Sequence, residues 1–182
     1  MADNFSIQTI AADFRRTGWI SFWAQLVLAV ISSIVIVFAV FSNNFNQATP
    51  QNPGSDFGFF FAIAGLLALG VSTFWAFCYT RFGRQLGAAD PRARPSRAEA
   101  MGLIQRGILC NLIGLALIVV GSQAIVGSLV AKSFQQGGAF FGDPQDLVQA
   151  LDLFVVQANT NITTAHVGGL VASLWLLNRV SR

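Results

Sequence analysis

The chain has 182 residues, of which 54% are hydrophobic and only 10% charged, and its formal net charge is +3. A soluble domain carries about 25% charged residues, so this sequence has too few to coat a water-soluble globule of its size. The basic residues flank apolar blocks instead of lining one exposed groove, which excludes a nucleic-acid face.

The chain opens on a polar, acidic stretch unlike a cleavable signal peptide. Ile7, Ile10, Ala11 and Phe14 then fall at i, i+3, i+4 and i+7, one face of a short helix. Beside Arg15 and Arg16 this face predicts an amphipathic helix lying on an anionic membrane surface before the first span; a solvated extension of the first helix is the alternative. Residues 18–41 form the first apolar block. Residues 42–56, rich in Asn, Gln, Pro and Gly, read as a flexible loop. The second block covers residues 57–80. Asp90-Pro91 and Pro95 interrupt any helix after it. Ser96-Arg97-Ala98-Glu99 fits a capping box, which starts the third helix near Arg97. From there to Ala131 the helix is about 50 Å long at 1.5 Å per residue and should protrude beyond the third block, residues 104–131. Asp143, Pro144 and Asp146 give a second helix start, and Leu147, Val148, Leu151, Phe154 and Val155 share a face. This predicts a short amphipathic helix that bends near residues 157–161, with an uninterrupted helix as the alternative. The fourth block is residues 160–178.

Each block approaches or exceeds the roughly 20 residues needed to cross a bilayer core, and backbone in lipid must satisfy its hydrogen bonds within the segment. The expected fold is all-α: a single membrane domain, a four-transmembrane-helix bundle. Ten of the eleven basic residues, all arginines, fall before span one, between or just inside spans two and three, or at the chain end; Lys132 alone lies opposite. That bias places both termini and the middle loop inside. Trp19, Trp23, Trp75, Tyr79 and Trp175 mark the inner boundaries as interfacial aromatics.

Small residues recur every seven positions. Gly58, Gly65 and Ser72 do so in span two, and Gly107, Gly114, Gly121 and Ser128 in span three. Small side chains let helices approach closely in lipid, so these two seams are expected to face each other as a tight hairpin.

The apolar centres contain no carboxylate, Lys or Arg, which counts against a proton pump or a carboxylate-lined cation channel. His166 is the only histidine. It shares a stripe with Asn159 and Thr163, and Ser122 and Gln123 lie at similar depth on span three. These five form a candidate polar cluster, either a functional site or interhelical hydrogen bonds that fix the bundle. Cys78 and Cys110 lie near the inner face, and Cys110 differs from His166 by about 10 Å in depth, too far for one metal to take all three. No nucleophile–base pair, phosphate loop or cofactor fingerprint is visible, so neither catalysis nor a cofactor is expected.

Several stretches carry a resemblance. Phe14-Arg15-Arg16-Thr17-Gly18-Trp19-Ile20-Ser21-Phe22-Trp23, Tyr79-Thr80-Arg81-Phe82-Gly83-Arg84, the segment from Gly121 to Lys132, Phe154 to Asn161, and His166 to Leu177 resemble a family of unknown-function membrane proteins from cyanobacteria and plastids. Its plant members are described as the permease in chloroplasts and as a twenty-one-kilodalton component of the inner-envelope protein translocon. The resemblance implies four spans and one of two roles, iron permeation or a part in protein import. With no transit segment ahead of span one, it is read as a cyanobacterial type, in the plasma or thylakoid membrane. The functional expectation is a transporter or channel-like component acting on iron; the alternative is a non-catalytic structural or assembly subunit of a translocon or photosynthetic complex. Expected partners are the lipid bilayer and either further copies of the chain or a larger membrane complex.

Overall fold

The computed structural model describes residues 2–45, 53–90, 92, 94–136 and 150–181. Among them are four helices and no strand: α1 (Ala2–Phe45), α2 (Pro53–Leu86), α3 (Arg97–Gln136) and α4 (Ala150–Ser181). They pack in a ring, α1 on α2, α2 on α3, α3 on α4 and α4 on α1, with a lesser diagonal contact between α2 and α4.

Among the described residues three stretches are long and apolar enough to cross a membrane: Ile7–Phe41, Phe57–Leu86 and Arg97–Ala131. Many large apolar side chains turn outward along these stretches, among them Ile34, Phe38, Leu67, Phe74 and Leu109, while Gln25, Ser32, Asn111, Asn159 and His166 are buried. A water-soluble bundle shows the reverse arrangement, so the chain is an integral membrane protein.

Heptads organise all four helices. Ala11, Gly18, Gln25, Ser32 and Ala39 are buried on α1, and Gly58, Gly65, Ser72 and Tyr79 on α2. Gly107, Gly114 and Gly121 are buried on α3, and Val155, Ile162, Gly169 and Leu176 on α4. A seven-residue repeat keeps one seam against its neighbours along a left-handed bundle.

The amphipathic segment before span one is part of α1 rather than a separate surface helix. No Pro or Gly breaks the chain before Gly18, and Ala11 and Phe14 continue the seam of Gly18 and Gln25. Phe14 is buried against Tyr79 and Phe82, at ring-centroid distances of 6.3 and 5.3 Å. The apolar face is thus covered by an extension of α2. The second predicted short helix lies partly outside the described residues, at positions 143–149. Its later residues belong to α4, which runs through residues 157–161 without interruption. There Thr160 Oγ1 donates to Val156 O at 3.0 Å and Thr164 Oγ1 to Thr160 O at 2.8 Å, so the polar run satisfies itself inside the helix.

The capping box forms as read. The Glu99 backbone N–H donates to Ser96 Oγ at 3.2 Å, and the Ser96 N–H to Glu99 Oε2 at 2.9 Å. At the same end Arg97 donates to Ser181 O at 2.8 Å, and Arg179 pairs with Asp13 at 2.7 Å. These contacts tie the starts of α1 and α3 to the end of α4. Trp19, Trp23 and Trp175 are outward-facing, and Arg106 sits 5.9 Å from the Trp75 ring. Tyr79 is the exception to the interfacial reading: it is buried, with its hydroxyl 3.0 Å from Ser173 Oγ.

Candidate functional site

Two apolar clusters fill the bundle. One contains Ile36, Leu69, Ile118, Ile125 and Ile162; the other contains Phe14, Tyr79, Phe82, Ile104 and Leu176. Between them lies a polar layer to which every helix contributes. Ser72 Oγ on α2 lies 2.7 Å from Asn111 Oδ1 on α3 and 3.2 Å from Gln25 Oε1 on α1. Gln25 Nε2 reaches Ala165 O on α4 at 3.5 Å, and Asn111 Nδ2 donates to Gly107 O at 2.9 Å.

His166 closes the layer from α4. Its Nδ1 is 3.2 Å from Asn111 Oδ1 and its Nε2 is 3.2 Å from Gly65 O. A neutral imidazole donates through one of the two, as its tautomer dictates. Both ring nitrogens face a protein oxygen and the side chain is 0% exposed, so no direction is left open to a metal ion. Among the described residues no group of three His, Cys, Asp or Glu side chains could hold a metal.

Glycines make room for these polar groups. A Cβ on Gly114 would fall on the His166 ring, one on Gly169 on the Gln25 and Asn111 amides, and one on Gly107 on the Tyr79 hydroxyl. The seam positions therefore divide. Gly58 and Gly121 bring the α2 and α3 backbones together: a Cβ on Gly121 would stand 3.0 Å from Ala62 N and 3.1 Å from Gly58 O. Gly65 packs on Ile118. Gly107 and Gly114 instead receive side chains, and Ser72 is a member of the polar layer. Ser128 Oγ donates to Ile125 O of its own helix at 2.7 Å.

Of the five clustered candidates, His166 and Asn159 are buried on one seam of α4, and the Asn159 amide has no hydrogen-bond partner among the described residues. Thr163 Oγ1 donates to Asn159 O at 2.9 Å. Ser122 is half-buried and Gln123 exposed; neither joins the layer. Sequence reasoning missed Gln25, Asn111 and Gly169. Their signal is register: Gln25 lies seven residues from both Gly18 and Ser32, and Asn111 seven from both Ile104 and Ile118.

Residues 5–181 match the family described as "Protein of unknown function (DUF3611)". The chain belongs to that family. It is also 36% identical over 177 residues to "Protein TIC 21, chloroplastic" of Arabidopsis thaliana, an alignment covering 92% of this chain and 56% of that protein. The chain thus spans about half the length of that curated relative. No solved structure matches it.

Proposed function

We propose that this chain is a non-catalytic, four-span membrane subunit that works inside a larger assembly of the translocon or permease kind, built from further copies of itself or from other membrane proteins. The observation that carries this reading is the filled bundle axis: His166 is fully buried, and both its nitrogens are turned to Asn111 and Gly65 O. A monomeric carrier needs a lined cavity near mid-membrane, and discontinuous helices usually build one. Here α1 to α4 run unbroken past that level. Solute passage, including the iron permeation that the family resemblance implies, is accommodated between bundles rather than through one.

The fourth span is α4. Its inward face holds Asn159, His166 and Ser173, while Leu153, Phe154, Val167, Val171, Leu174 and Trp175 face outward and suit lipid. Its exposed threonines bond their own helix carbonyls, which removes the cost of placing hydroxyls in hydrocarbon. Both termini belong inside, because the arginines gather at the end where Asp13, Arg97 and Arg179 meet. A cyanobacterial plasma or thylakoid membrane, or a plastid envelope, suits the relationship to a chloroplastic protein.

Native mass spectrometry of the chain extracted from its own membrane tests the reading. The expected species carries two or more 19.5 kDa chains or a defined partner. A lone monomer under the mildest extraction contradicts it.

A further inference from the structure

Where α1 and α2 meet at the arginine-rich end, an open cleft of about 370 Å³ lies between them. Its walls include Gln8, Ala11, Arg15, Gly83, Arg84 and Gly87. Small residues account for both its shape and its tightness. A Cβ on Gly83 would stand 2.8 Å from Ala11 O and 2.9 Å from Arg15 N, so the two backbones touch at the cleft floor. At Gly87 a Cβ would be tolerated, meeting its nearest atoms at ordinary van der Waals distance, 3.5 Å from Gly83 O and 3.7 Å from Ala11 Cβ.

Arg15 and Arg84 both line this space, and among the described residues no carboxylate is bonded to either. The neighbouring acid, Asp13, is already bound to Arg179 at 2.7 Å. A neutral donor and acceptor, the Gln8 amide, stands beside them. The end of α2 adds acceptors. The Ala88 N–H turns to Gln85 O at 3.1 Å rather than to Arg84 O, and the site of a Cβ on Gly87 lies 3.7 Å from that Arg84 oxygen. Depth is set by Trp19 and Trp23, outward-facing and stacked with ring centroids 6.0 Å apart. Arg15 is four residues before Trp19, or about 6 Å further out along the helix. Tryptophans mark the interface, so the cleft stands at the level of lipid headgroups.

We infer that this cleft binds a phosphate-bearing anion, held by Arg15 and Arg84, with the headgroup of an anionic phospholipid as its source. Paired guanidinium groups match phosphate oxygens in charge and geometry. A glycerol headgroup has hydroxyls to donate to Gln8 and to the terminal carbonyls of α2, which phosphate alone does not. The inference rests on the membrane reading and is independent of the choice between assembly and transport.

The test uses the full chain in phosphatidylcholine nanodiscs doped with phosphatidylglycerol, with retained lipid counted by native mass spectrometry. Arg15→Gln with Arg84→Gln should weaken phosphatidylglycerol retention by about tenfold or more, the scale of lost charge-assisted bonds. Arg16→Gln with Arg81→Gln removes the same charge from exposed neighbours outside the cleft and should have little effect. Gly87→Leu fills the cleft, keeps both arginines and should also reduce retention, which guards against a double variant that fails to fold. Retention should persist in millimolar inorganic phosphate. Binding of inorganic phosphate that needs both arginines, with no preference for phosphatidylglycerol, would make the free anion the source. Equal losses in both double variants, or an unaffected Gly87→Leu, overturn the inference.

Discussion

His166 and Gly114 offer a paired perturbation whose outcome depends on their contact. His166→Ala removes one interhelical hydrogen bond at a time, worth about 0.6 kcal/mol on average in membranes and up to about 1.7. Asn111 Oδ1 keeps the Ser72 hydroxyl at 2.7 Å, so it is not orphaned. A residual void of roughly 30 Å³ adds about 0.7 kcal/mol at about 24 cal/mol per Å³. The sum is about 1.3 kcal/mol for an average bond and about 2.4 kcal/mol at most. Gly114→Ala alone puts a methyl group onto the imidazole, since the nearest atoms to that Cβ are His166 Cε1, Nε2 and Nδ1. Overpacking of this kind costs about 1–3 kcal/mol. In the double variant the methyl group occupies the space the ring has left, so the combined cost should fall short of the sum by about 1 kcal/mol or more. Reversible unfolding in mixed detergent and SDS micelles measures all three variants. Additivity to within about 0.5 kcal/mol would mean that the two residues do not touch, and the polar layer as described would be wrong.

Gly121→Leu should sharply reduce the yield of folded protein, because two of the three nearest atoms it meets, Ala62 N and Gly58 O, are backbone and cannot yield; Gly127→Leu on the same helix has nothing within 4 Å and should be neutral in the same detergent-stability assay. Ser96→Ala should cost about 1 kcal/mol in the unfolding measurement, since the Glu99 N–H at the start of α3 loses its cap. Single cysteines at positions 46 and 138 should label from the side opposite position 91 in sealed vesicles, and labelling of 46 and 91 from one side would refute the topology.

Helix positions were legible because lipid imposes length and apolarity on each segment, and the α3 start was legible because Ser96 and Glu99 form a local pattern that needs no tertiary information. The continuity of α1 through Ile7, Ala11 and Phe14 was not. An amphipathic face reads the same whether lipid or protein covers it, and only the extension of α2 to Phe82 and Gly83 decides between them. Tyr79 shows the converse: an aromatic at interfacial depth turned inward, because Gly107 leaves room for its hydroxyl and Ser173 pairs with it. The polar layer was half legible. His166 stands out as a lone histidine, whereas its partner Asn111 is three residues from Gly114, and which helix that glycine serves depends on pairing that one sequence does not contain. Spacing alone treats the glycine seam as uniform; its split into backbone contacts at Gly58 and Gly121 and side-chain sockets at Gly107, Gly114 and Gly169 belongs to the assembled bundle.

In the proposed function one bundle is a packed subunit with no path along its axis. Reconstitution at limiting dilution tests it most directly, with ferrous ion influx followed in vesicles that hold on average less than one chain and in vesicles that hold several. The expected result is no influx above empty vesicles at single occupancy, with any flux appearing only as copies or partners are added. Influx from single chains, abolished by His166→Ala in a folded variant, would contradict the account.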